Sequence, residues 1–108
     1  SALAKNVLEP LRAQYPGFRI NSGFRSFTKG RSQHEKGQAV DLQWPGLSYD
    51  GYWELAKWIK DNIPFDQLIY EHGNSVWIHL SWKDSLSNRG SVLTMYCNQY
   101  SSGLKKMR

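Results

Sequence analysis

Hydrophobic positions along this chain follow two different periods. Over residues 2–15, Leu3, Val7, Leu8 and Leu11 recur at helical spacing, which predicts a helix with one buried stripe. Pro10 lies inside that pattern, so a kink or restart is expected where the backbone lacks an N–H. Tyr15-Pro16-Gly17 ends the helix. A second helix is predicted from Ser48, a capping residue, to about Asn62, with Tyr52, Leu55, Ala56 and Ile59 as its buried stripe and Ile63-Pro64 as its stop. Elsewhere the period is two. Trp77-Ile78-His79-Leu80-Ser81-Trp82 puts Ile78, Leu80 and Trp82 on one face and Trp77, His79 and Ser81 on the other. Residues 39–42 alternate likewise, with Val40 and Leu42 on one side and Asp41 sharing the other with Ala39 and Gln43.

Shorter signals complete the outline. Residues 18–21 and 65–71 read as strands, with 72–75 a turn and 76–82 the return partner. Residues 27–31 and 87–90 read as polar loops, Trp44-Pro45-Gly46 as a turn, and 92–97 as a final edge strand. From Ser101 onward a frayed, basic tail is expected. The fold class that follows is α+β: two helices packed on a small, mostly antiparallel sheet.

Composition narrows the class without changing it. A chain of 108 residues, 40% hydrophobic with five tryptophans and six tyrosines, is expected to form one folded domain over 1–108. It contains no repeat, no linker, no apolar run near the ~20 residues of a membrane span, and no charged-then-apolar leader pattern. The start at Ser1 suggests a processed chain or a domain of a longer protein. A net charge of +5 favours anionic partners, such as cell-wall polymers. No nucleic-acid motif accompanies it, and a monomer is expected. Cys97 is alone, so no internal disulfide forms, and burial as a small hydrophobe is its expected role.

Candidate chemistry centres on Ser32-Gln33-His34-Glu35-Lys36-Gly37-Gln38-Ala39-Val40-Asp41-Leu42. His34 and Asp41 are seven apart, a spacing that neither regular structure can use for one ion. A helix separates them by ~10 Å along its axis, and a strand points them to opposite faces. Gly37, between them, lets the backbone bend at least cost. His79 offers a third ligand from its polar face. Three protein ligands and an open position are how catalytic zinc is held. The competing reading is a few histidines and aspartates with no common role.

Ser22-Gly23-Phe24-Arg25-Ser26, followed by the His34–Asp41 stretch, resembles the signature of the zinc D-alanyl-D-alanine carboxypeptidase family, which includes phage endolysins, L-alanyl-D-glutamate peptidases and vancomycin-resistance dipeptidases. Val7-Leu8-Glu9-Pro10-Leu11-Arg12 and Trp77-Ile78-His79 are similar to its small phage-type members, so the likeness runs from about Val7 to Trp82. It implies a Hedgehog/DD-peptidase-like fold, one Zn2+ on His34, Asp41 and His79, and hydrolysis of the stem peptide of peptidoglycan at the bacterial cell wall or periplasm, as a phage lysin or virion-associated domain. Arg25 matches the motif arginine, suited to steadying an oxyanion or gripping a substrate carboxylate. Ser32 matches a substrate contact.

The general base is where the chain departs from the pattern. Many members carry a glutamate three residues before the last histidine; here that position is Val76. Glu71 is the substitute, provided the hairpin register puts it on His79's face. Pairing with Val76 would turn it away, whereas a three- or five-residue loop would bring it round. The second register is expected, because a carboxylate on the apolar Ile78 side is costly. Glu35 is expected to be a solvated charge, since Gln38 stands where a zincin helix has its second histidine. His72 is expected to be an exposed turn residue. The alternative function is a non-catalytic zinc-bearing module on the same fold, binding cell wall or building a phage tail.

Overall fold

The N-terminal apolar stripe folds as predicted, with a local change of pitch at the proline. In the computed structural model, which describes residues 2–21 and 38–106, a π-helical stretch Ala4–Leu8 leads into α1, Glu9–Gln14. Pro10 sits in the first turn of α1, where a missing N–H costs least. The wider turn just before it, closed by Glu9 N–H on the Ala4 carbonyl, keeps the pyrrolidine ring away from the carbonyl one α-turn back. Leu3, Val7, Leu8 and Leu11 are buried. The second helix, α2, spans Tyr49–Asn62; the Ser48 hydroxyl accepts from Gly51 N–H, and Tyr52, Leu55, Ala56 and Ile59 are its buried residues.

Six strands form one sheet: β1 Arg19–Ile20, β2 Ala39–Gln43, β3 Gln67–His72, β4 Val76–Ser81, β5 Ser91–Tyr96 and β6 Gln99–Ser102. Their order is β1-β2-β4-β3-β5-β6. All neighbours are antiparallel except β3 and β5. The domain is therefore α+β with a mixed sheet. Both helices lie against one face, where Leu42, Leu68, Tyr70, Ile78 and Leu80 join the helical stripes in a single core. No helix among the described residues is long and apolar enough to cross a membrane.

Three expectations are corrected here. β5 is not an edge strand, because β6 covers it. The chain end is not frayed over the described residues: Ser101 and Ser102 belong to β6, Gly103 N–H bonds Val92 O at 2.8 Å, Lys105 N–H bonds the Thr94 hydroxyl at 2.8 Å, and Lys106 pairs with Asp50 at 3.0 Å. Cys97 is exposed. It fills the two-residue β5–β6 turn with Asn98, both at positive φ (51° and 66°), as a type I′ hairpin turn requires. Asn98 is a residue type that tolerates this. Cys97 is not.

The connection over residues 82–90 carries the chain past the end of β3 so that β5 can run parallel to it. Asp66, fully buried, anchors it by taking Arg89 N–H, Nε (both 3.0 Å) and a terminal guanidinium nitrogen (2.7 Å). Two outcomes follow. Arg89→Ala removes both guanidinium donors from a buried carboxylate and should cost about 2–3 kcal/mol, below the ~3–5 of a fully enclosed pair because Arg89 is half exposed; an unchanged urea midpoint would reject the clamp. Cys97→Gly removes the strained left-handed residue and should raise stability by about 1 kcal/mol, or ~4–8 °C in melting temperature; a lower melting point would mean that the cysteine side chain contributes contacts there.

Candidate metal centre

The face of the sheet turned away from the helices is polar at its centre, and register explains why. Asp41 on β2 lies directly opposite His79 on β4. On the other side of β4, Glu71 is opposite Trp77 and His72 opposite Val76. The hairpin loop is therefore the three residues 73–75, closed by Gly73 N–H on Ser75 O, and Glu71 stands on the same face as Trp77 and His79. This is the register in which the carboxylate avoids the apolar side. A one-residue slip would drive it into the helix-side core in the place of Tyr70.

Asp41, Glu71 and His79 are 2%, 3% and 4% exposed. A ligand atom from each lies within 4.8 Å of the other two, and His79 Nδ1 is 3.0 Å from Asp41 Oδ1. Two donors of one tetrahedral zinc, each bound at ~2.0 Å, are ~3.3 Å apart. The Asp41–His79 contact at 3.0 Å is a buried hydrogen bond whose length is also compatible with such an edge. The trio suits a hard or borderline divalent cation, since two carboxylates and an imidazole supply negative charge and a neutral nitrogen. These three side chains lie close enough to hold a metal ion.

Electrostatics gives the same cluster a second signature. Burial and then the neighbouring charge of Asp41 push the Glu71 carboxyl up to about 8, against the pull of a hydrogen bond from Trp77. Two carboxylates taken out of water together keep a proton unless a cation replaces it. Tyr100, on β6, feels the same charges: its phenol is raised by burial and then by Glu71 and Asp41.

Of the residues singled out in the sequence, Asp41, His79 and Glu71 come together. His34, Arg25, Ser32 and Glu35 lie outside the described residues. His72 is corrected: it is fully buried, on the opposite face from Glu71, with its ring 4.3 Å from Tyr70 and 6.3 Å from Tyr96. The sequence reading gave no role to the Trp77 indole or to Tyr100. Alternation places Trp77 on the metal face, but nothing local shows that its N–H meets a carboxylate. Comparison with protein-family models, curated proteins and solved structures returned no match.

A pH titration checks the cluster. Between about 4.5 and about 8 the folded, metal-free protein holds a proton on Glu71 that the unfolded chain has released. Stability should therefore fall as pH rises through that window, by a few kcal/mol in all. In Glu71→Gln the slope should flatten, and zinc at a hundred times its dissociation constant should restore ~2.7 kcal/mol at pH 8 to the unmutated protein. A flat profile in the metal-free protein would show that Glu71 titrates normally.

Proposed function

We propose that this domain is a zinc-dependent peptidase that hydrolyses the peptide part of peptidoglycan at the bacterial cell wall, as a D-Ala-D-Ala carboxypeptidase or an L-Ala-D-Glu-type endopeptidase. The observation that carries the reading is the convergence of Asp41, His79 and Glu71 on one buried polar patch, added to the resemblance in the His34–Asp41 stretch. Asp41 and His79 hold the ion, with His34 as the third ligand. A divalent ion bound there supplies a Lewis acid and lowers the pKa of its water to ~7.

The chain's own residues do the rest. Glu71 takes a proton from the attacking water and returns it to the leaving amine. Its raised pKa belongs to the metal-free protein; a cation beside Asp41 offsets the charge that suppresses ionisation and frees the carboxylate to act as base. Trp77, paired with Glu71 across β3 and β4 and buried beside it, flanks the carboxylate on that face. Arg25 steadies the oxyanion or a substrate carboxylate, and Ser32 contacts the peptide. A zinc module that only binds cell wall has no use for a carboxylate held at the ion's edge, so Glu71 on His79's face speaks for turnover.

The test is purified peptidoglycan digested by the zinc-loaded domain, with released fragments identified by mass spectrometry. Cleavage within the stem peptide is expected, and it should stop when a chelator removes the zinc. Glu71→Gln should lower kcat by ~10²–10⁴-fold while zinc content stays at one per chain. Hydrolysis that survives complete zinc removal would overturn the reading, and full activity in Glu71→Gln would overturn the base.

A further inference from the structure

Beyond the Asp41–Glu71–His79 cluster, the same face continues along one transverse row of the sheet, where Glu71 lies between the apolar Trp77 and Met95. Trp77 on β4 pairs with Glu71 on β3, Glu71 with Met95 on β5, and Met95 with Tyr100 on β6. Directly paired residues point to the same face, so Tyr100 stands on Glu71's side, two strand spacings or ~9.6 Å away. Met95, between them, is 3% exposed, whereas Tyr100 is 51% exposed. The row therefore descends from a solvent-reached phenol, over a buried thioether, to a buried carboxylate. Among the described residues no group takes the hydrogen bond of the Tyr100 hydroxyl. Burial, and after it the neighbouring carboxyl groups, raise the phenol above its ordinary value, so at neutral pH it is protonated and a donor, as a tyrosine ordinarily is.

We propose that Tyr100 is a substrate contact of this site, its phenol donating a hydrogen bond to the part of the stem peptide on Glu71's side of the cluster. This rests on the peptidase reading and adds a direction to it. Asp41 and His79 lie on one side of Glu71, and Tyr100 on the other. Glu71 hands its proton to the leaving amine, so the segment that departs lies towards β5 and β6. Peptide C=O groups and the stem's carboxylates are the acceptors a phenol at that rim meets. An edge-strand aromatic serving only to pack would use its ring and not its hydroxyl.

Tyr100→Phe separates these roles, since it removes one oxygen and keeps the ring. Steady-state cleavage of a soluble stem peptide by the zinc-loaded protein should show KM up about 5–10-fold, the size of one neutral hydrogen bond, with kcat within twofold and zinc content unchanged. Tyr96→Phe, on the opposite face of β5, is the control and should leave both constants alone. Binding of the same peptide to zinc-loaded Glu71→Gln, with and without Tyr100→Phe, gives a readout free of turnover. If the unmutated protein cleaves and Tyr100→Phe matches it, the contact is refuted while the peptidase stands. If nothing is cleaved but the peptide binds and Tyr100→Phe weakens binding, the contact stands and the peptidase falls. If the peptide neither binds nor is cleaved, both fall.

Discussion

Two carboxylates and one imidazole share a patch of sheet that is almost sealed from water, and this is the constraint to which the rest of the fold answers. Asp41 and Glu71 cannot both be ionised there without a compensating positive charge. In the metal-free protein a proton on Glu71 supplies it. A divalent cation is the other solution, and the three side chains lie close enough to hold one. Such a cluster is unfavourable in isolation, so the folded state must be held elsewhere by something stronger. The helix-side core does this, with Val7, Leu11, Leu42, Leu55, Ile59, Leu68, Ile78 and Leu80 all fully buried.

Alternation is how one sheet carries both. Each of β2, β3 and β4 sends every second side chain to the helices and the others to the polar face. The division depends on register, and register on a three-residue loop between β3 and β4. One residue more or fewer there would exchange Glu71 for Tyr70 on the metal face, at the cost of a buried charge in the core and a lost aromatic contact with Trp53. The selection pressure on register is thus mutual: apolar side chains hold the carboxylate out, and the polar cluster accepts it.

The local elements were legible because their signals are local. Ser48 capping α2, the stripe Tyr52–Leu55–Ala56–Ile59 and the facing of Asp41 and His79 need only period and short-range chemistry. The cost of burying Glu71 among apolar residues was enough to choose the hairpin register. What escaped was set by contacts distant in the chain. The parallel pairing of β3 with β5 is accompanied by the Asp66–Arg89 clamp, which joins residues 23 positions apart. β6 is short, and its partner strand is specified by a turn in which Cys97, a poor residue for positive φ, hides the usual hairpin signature; only Asn98 hinted at it. His72 looked like a turn residue from its neighbours Gly73 and Asn74, yet it is the last residue of β3 and packs between two tyrosine rings.

The location of the donors within the sheet bears on how well the site can be held. Asp41, His79 and Glu71 come from β2, β4 and β3, the three adjacent strands flanked by β1 on one side and β5 and β6 on the other. β3 and β4 are bonded along both sides, and β2 is covered on its outer side by β1 at Leu42 and Gln43 and by Asn21 N–H on Asp41 O, which limits the fraying that loosens edge strands. A site built on such ladders is fixed by backbone geometry before any ligand arrives, which is what discrimination between productive and unproductive donor separations demands. The row then runs outward over the buried Met95 to the half-exposed Tyr100 on the edge strand β6. Rigidity at the centre and access at the rim are consequences of strand order, and strand order here follows from which side of β3 the 82–90 connection delivers the chain.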